Sequence, residues 1–421
     1  MATSLPALSR WILLLMGLLS GPLPAEDIEF SCSLWGCKEF QRSAELWAAD
    51  KGQRVAPYEV GYLADNLLGL YRQVLNAHSN EFDLLLIDTI WPGALGKHLL
   101  DLRPYVDEQR LATYFQPILD NLTDTQGRLI ALPLFADTGI LYYRQDLLDR
   151  YGFAVPKTWA ELEATAEAIL EREQNPRLAG FVWQGRAYEG LTCNALEWIA
   201  SHGGGTIVDR QGQITINNPQ ARQALHRARA WIGTISPPEV LDETEMDSIQ
   251  RFRAGEAIFM RNWMEYWAHL EEADSPVRGR VGLAPLPKGG AEGQHAATLG
   301  DMSLAVSRYS EHPEAAVALL LFLTDAPSQR RHALERSFPP TLKALYTDPV
   351  LIEERGYMAV FQQVLEHSVA RPSQVTGLAY PKVSKKFYTK VHEILSGALA
   401  VSPALTTLEA ELQQIRQRSA W

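Results

Sequence analysis

The sequence predicts an α/β protein of two domains, and three observations carry that prediction. The chain has 421 residues, too many for one ordinary core, since single cores stop growing at roughly 250–300 residues. Apolar runs of strand length alternate with amphipathic helical stretches throughout, the pattern of α/β layers with mostly parallel sheets. Neither an internal repeat nor a low-complexity linker divides the chain, so it is expected to cross between its domains several times. A composition of 46% hydrophobic and 21% charged residues is that of a soluble globular protein.

Residues 1–25 stand apart. Arg10 is their only charge, an apolar run follows at 11–19, and small or turn-forming residues lead to Glu26. This is the layout of a cleavable secretory signal ending at Ala25. The run is too short for a span of ~20 apolar residues, so the mature chain is expected outside the cytoplasm. There Cys32 and Cys37 either close a short loop as a disulfide or stand as thiols; Cys193 reads as a small core residue. A formal net charge of −11 argues against a nucleic-acid partner.

Residues 28–33 read as a strand, and 39–51 as a helix with Phe40, Ala44 and Trp47 on one face. The apolar run 82–88 ends in Asp88, which suits a strand buried on both faces with its C-terminal end at a site. Residues 133–141 read as another strand, with Asp137 in its middle. Thr158 and Glu161 form a capping box that opens a helix; Trp159, Leu162, Ala166 and Ile169 mark its apolar face. Residues 206–208 and 214–216 read as a hairpin around the turn 209–212. Asn218 and Pro219 are a cap and a first-turn proline. Strands are predicted at 281–287 and 298–306. Helices are predicted at 313–324 and around the stripe Leu405, Leu408, Leu412 and Ile415.

Acids stand beside aromatics at predicted strand ends and loops: Asp88 with Trp91, Phe135 with Asp137, Tyr188 with Glu189, and Trp263 with Glu265. Carboxylates accept hydroxyl protons in charge-assisted hydrogen bonds, and flat rings cover apolar C–H faces. The set therefore suits a saccharide. Any single pair fits equally well as a core ring beside a solvated acid.

The segment 132–162, LPLFADTGILYYRQDLLDRYGFAVPKTWAEL, resembles the stretch with which family 1 solute-binding proteins of ABC importers pass from one lobe to the other. Similar motifs lie at 88–93 (DTIWPG), 185–194 (GRAYEGLTCN), 252–263 (FRAGEAIFMRNW), 296–300 (AATLG), 339–341 (PPT) and 371–372 (RP). Together they cover almost the whole mature chain, with most likeness to trehalose/maltose-binding proteins. The resemblance implies two α/β lobes of the periplasmic-binding-protein fold, residues 26–138 with 299–350 and residues 139–298 with 351–421, closing on a sugar and signalling to a permease. It implies no cofactor, no metal, no catalysis and a monomer. Carried over by position, Glu39, Asp88 and Asp137 meet the ligand, Tyr188, Glu189 and Gly190 form a second-lobe wall, Trp263 stacks and Arg371 donates. For Glu39 and Arg371 a surface salt bridge fits as well.

The chain departs from the family where relatives carry Gly-Gly-Trp and it has Gly300-Asp301-Met302, and where Asn-Trp-Pro-Tyr is replaced by residues 262–265, ending in Glu265. Fewer rings and more carboxylates suit a ligand with less sugar face and more free hydroxyls, such as glucosylglycerol, beside trehalose, sucrose and maltose. A hydrolase is the rival class. His202-Gly203-Gly204-Gly205 looks like an oxyanion loop, but no G-x-S-x-G nucleophile motif accompanies it, and a turn closing a helix explains it. A glycosidase needs two facing carboxylates, which the sequence leaves open. A glycerol phosphate binder needs arginines or a helix N-terminus aimed at phosphate, against an acid-rich site.

Overall fold

The computed structural model describes residues 27–33, 37–60, 64–124, 126–290, 292–419 and 421; the expected signal segment lies outside them. Two sheets organise the chain. The first contains β1 (Asp27–Ser33), β2 (Arg54–Val60), β3 (Leu84–Asp88), β4 (Leu132–Phe135) and β10 (Met302–Val306), in the order β2-β1-β3-β10-β4. The second contains β5 (Gly139–Arg144), β6 (Ala179–Val182), β7 (Ala257–Trp263) and β8 (Val281–Ala284), in the order β6-β7-β5-β8. A short parallel pair, β9 (Ala297–Thr298) with β11 (Ser368–Val369), stands apart from both sheets.

The expected predominance of parallel pairing does not hold: both sheets are mixed. In the first, β10 runs antiparallel to β3 and β4; in the second, β5 runs antiparallel to β7 and β8. The reason is the direction of entry. Both strands begin just after the chain has crossed from the other lobe. They therefore start where their neighbours end: Met302 pairs with Asp88, and Gly139 with Trp263. The α/β two-lobed class stands.

The single strand predicted at 133–141 is two strands in different sheets, interrupted at 136–138. The strand predicted at 298–306 is likewise split, by Leu299, Gly300 and Asp301. These two interruptions run side by side: Thr138 bridges Leu299, and the Gly300 amide donates to the Asp137 carbonyl at 2.9 Å. The Leu299 amide bonds the Val369 carbonyl at 3.1 Å, which brings the third crossing alongside. The predicted 206–216 hairpin reduces to one bridge, Val208 to Ile214, because Asp209 bonds the Gln211 and Gln213 amides and holds the turn.

Local signals otherwise act as the sequence implies. Thr158 caps the helix Trp159–Glu173 in a complete capping box, and Asn218 caps Pro219–Trp231, each worth about 1 kcal/mol. The two apolar cores are distinct. One is built on Phe30, Leu86 and Leu304. The other is built on Trp159, Trp183, Trp198 and Trp231, whose rings meet at 4.8–5.4 Å. The helix Met358–Glu366 straddles them, with Phe361 in the first core and Val364 in the second. Cys32 and Cys37 form a disulfide, and Cys193 is a buried thiol. Gly203 and Gly205 adopt positive φ and end the helix Glu189–Ser201, so the HGGG run is a turn. No helix among the described residues is long and apolar enough to cross a membrane.

Candidate ligand site at the lobe junction

The chain crossings bring acids and rings together. Asp137 sits between β4 and β5 and is 2% exposed. Its Oδ1 accepts from the Thr138 amide at 2.7 Å and from the Met264 amide at 3.0 Å. Burial pushes this carboxyl up to about 8, although those amides and Arg261 oppose the shift. The Met264 bond ties the first crossing to the turn after β7, which carries Trp263 on one side and Glu265 on the other. Glu265 is half-buried, and its carboxyl lies well above the usual range, through burial first and then through Asp137 and Glu245.

Trp263 is half-buried and held on several sides. The Arg261 guanidinium lies 4.1 Å from its ring centroid. Its Nε1 donates to Glu245 Oε1 at 3.4 Å. Its six-membered ring lies against Gly300, where a Cβ would come within 2.5 Å of the ring, so only glycine fits there. Tyr188 shares the same acid, donating its hydroxyl to Glu245 Oε2 at 2.5 Å. Gly190, in the first turn of the next helix, leaves room for that phenol.

A second group lies where the third crossing meets both lobes. Arg371 is 5% exposed. Its Nη1 donates to Glu189 Oε1 at 2.9 Å, and its Nη2 to Asp88 Oδ1 at 3.4 Å and the Leu299 carbonyl at 3.1 Å. Glu189 also accepts from the Tyr380 hydroxyl and from Ser384 at 2.5 Å; burial raises it and Arg371 chiefly opposes. Arg371 thus spans a first-sheet acid and a second-lobe acid, and is no surface salt bridge.

The other expected residues lie elsewhere. Trp91 is packed in the first core, its ring edge-on to Tyr71 at 5.8 Å, and offers no stacking face. Phe135 is also core, stacked on Phe338 at 4.5 Å and near Phe40 at 6.3 Å. Both follow the usual fate of large rings. Asp301 is fully buried. Burial pushes it up to about 7, with a contact to the Thr89 side chain opposing and Asp88 adding. Glu39 pairs with Arg336 at 3.6 Å, and Arg336 also acts on Glu265, so the first helix reaches the edge of the acid group.

Sequence reasoning missed Glu245, Arg261, Glu197 and Tyr142. Tyr142 donates to the Trp263 carbonyl at 2.6 Å and fixes the turn. Nothing in their local sequence separates them from ordinary strand and helix residues. A cavity of about 810 Å³ also opens near Arg371, between the helix Gln116–Leu122 and the 206–210 turn. Of the expected site residues it touches only Arg371, so its shape does not mark the acid–aromatic group. No cluster suited to a metal ion occurs among the described residues.

Two lobes joined by adjacent crossings, with acids, a half-buried ring and a bridging arginine at the junction, define a ligand-capturing protein. Residues 61–330 match the bacterial extracellular solute-binding protein family, and the chain belongs to it. A probable ABC transporter-binding protein of Deinococcus radiodurans is 42% identical, over 94% of this chain and 94% of its own. The maltose-bound MalE3 of T. maritima superimposes with a TM-score of 0.85 at 33% identity, covering 92% of this chain and 99% of that one. A mannitol-binding protein of Pseudomonas aeruginosa is 26% identical over 59% of this chain and 57% of its own. The chain is therefore a substrate-binding component of an ABC transporter, working outside the cytoplasm, and not an enzyme.

Proposed function

We propose that this protein captures a small uncharged glycoside or disaccharide of the glucosylglycerol, trehalose, sucrose or maltose class and delivers it to its permease as a monomer. The two lobes, residues 26–138 with 299–350 and residues 139–298 with 351–421, close on the ligand after residues 1–25 are removed on export. In this reading Trp263 stacks on the C–H face of one ring. Asp137, Glu265 and Asp88 accept hydroxyl protons, and Tyr188, Glu189 and Gly190 form the second-lobe wall. Gly300 makes room for the Trp263 ring, and Glu39, Asp301 and Arg371 complete the polar surround.

One observation carries the reading: a half-buried indole, held against Arg261 and Gly300, stands beside carboxyls that burial pushes toward neutrality. Such a surface favours a neutral polyol, whose hydroxyls can pair with carboxyls in either protonation state, whereas an anion would have to compete with Glu189 and Asp88 for Arg371. That disfavours glycerol phosphate. The relatives also bracket the chemistry, one holding maltose and one named for mannitol. Calorimetric titration with glucosylglycerol, trehalose, sucrose and maltose tests the proposal. Glucosylglycerol is expected to bind tightest; a clear preference for maltose overturns that choice, and no binding to any of the four overturns the class.

A further inference from the structure

Beneath the candidate site lies a buried ion pair that touches no ligand surface. Arg261 and Glu197 have side chains 0% and 1% exposed. Their contact is bidentate: Nε to Oε2 at 2.8 Å and Nη2 to Oε1 at 2.5 Å. The remaining Nη1 donates to Gln184 Oε1 at 3.1 Å, and Gln184 Nε2 returns a bond to the Arg261 carbonyl at 3.0 Å. Burying two charges is costly and gains little stability over an apolar pair of similar volume, so its placement calls for a reason.

Its contacts supply one. The guanidinium Cζ lies over the Trp263 ring, 4.1 Å from its centroid and two residues along the same strand. Glu197 Oε1 also accepts the Thr298 amide at 3.0 Å, in the strand that leads into the second crossing. Gly139, first residue after the first crossing, has no room for a Cβ, which would come within 2.1 Å of Glu197 Oε1. The pair is therefore in contact with two crossings and with the indole at once. We propose that Arg261, oriented by Glu197, is a positioning residue: its flat face fixes the Trp263 ring and couples the ring to the crossings at Gly139 and Thr298. This rests on Trp263 being the stacking surface proposed above. A lysine ammonium is a point charge without a stacking plane or fork, so Arg261→Lys keeps the charge and removes the device.

The test uses the full protein labelled with 5-fluorotryptophan, the Trp263 resonance being assigned by its loss in Trp263→Phe. Arg261→Lys is expected to shift that resonance selectively. It should also weaken the tightest-binding of the four sugars at least tenfold, yet change affinity less than twofold when Trp263 is already alanine. An unmoved resonance, or equal losses in both backgrounds, overturns the proposal. The double variant Arg261→Met with Glu197→Met leaves no unpaired buried charge and serves as a second probe with the same expected shift. Should none of the sugars bind the unaltered protein, the ligand reading falls, while the fluorine spectrum still decides the positioning role.

Discussion

Trp263→Ala separates a ligand platform from a structural ring. Arg261 and Gly300 both lie against the indole, and Glu245 takes its N–H. A ligand therefore has the part of the ring that stays exposed to cover. A sugar ring would hide on the order of 40–80 Å² of it, which at ~25 cal/mol per Å² is worth about 1–2 kcal/mol. The stacking geometry adds up to about 1 kcal/mol more. Affinity is expected to fall roughly 5- to 150-fold, the conversion of about 1–3 kcal/mol. Calorimetry with the tightest-binding sugar measures it, beside thermal unfolding of the free protein. Some stability should also be lost, because the cation–π contact with Arg261 disappears, worth about 1–2 kcal/mol when desolvated. If unfolding shifts while affinity stays within twofold, the ring is a structural element and the platform assignment is wrong.

Three further outcomes are expected. The Asp137 carboxyl is raised to about 8 in the folded protein, against ~4 in an unfolded chain. The native state thus holds a proton that the unfolded chain lacks, and stability should fall as pH rises through that window, by at most ~1.4 kcal/mol per unit. Asp137→Asn should flatten this slope in urea unfolding series; an unchanged slope assigns it to Glu265 or Asp301, both raised in the same direction. Replacing Cys32 and Cys37 together by serine opens a short loop closed across five positions of sequence; loop entropy gives a loss of about 2 kcal/mol, read from denaturation with and without reductant. Arg371→Met strands Glu189 and Asp88 without their shared cation. It should cost about 3–5 kcal/mol in urea unfolding, and a loss under 1 kcal/mol would show that the bridge contributes little.

Much of the fold could be read from local signals, because caps and apolar runs act over a few residues. The Thr158 box and the Asn218–Pro219 start needed only their own neighbours to form. The crossings were harder. Residues 133–141 satisfy a strand pattern throughout, and only tertiary pairing assigns their halves to different sheets. Strand direction was misjudged for the same cause: alternation of strands and helices does not encode which strand arrives from the other lobe. At the lobe junction, the acid-beside-ring pattern picked out Asp137, Trp263 and Glu265, which the fold brings together, and equally Trp91 and Phe135, which it buries in the first core. The difference is where each ring points from its backbone, which short-range pattern does not carry. Glu197 and Arg261, 64 residues apart, meet only once the sheet and helix have packed.

Under the proposed function, the departures at Asp301 and Glu265 bear on how a neutral ligand would gain affinity. Asp137, Glu265 and Asp301 are all shifted toward the neutral form by burial. A protonated carboxyl can donate one bond and accept others, whereas a carboxylate accepts only, and more strongly. A ligand hydroxyl donating to Asp137 favours the ionised form, so binding should lower that pKa and release a proton near neutral pH. Binding would then strengthen as pH rises toward 8, while the free protein loses stability over the same window. The two trends have one origin: the unliganded site carries the cost of burying acids, and ligand hydroxyls reduce it. A ring in place of Met302 or Glu265 would add stacking area but no carboxyl. Under the proposed function, the exchange would shift preference toward ligands rich in free hydroxyls per sugar face, the property that distinguishes a glycosylated polyol from a maltose-like disaccharide.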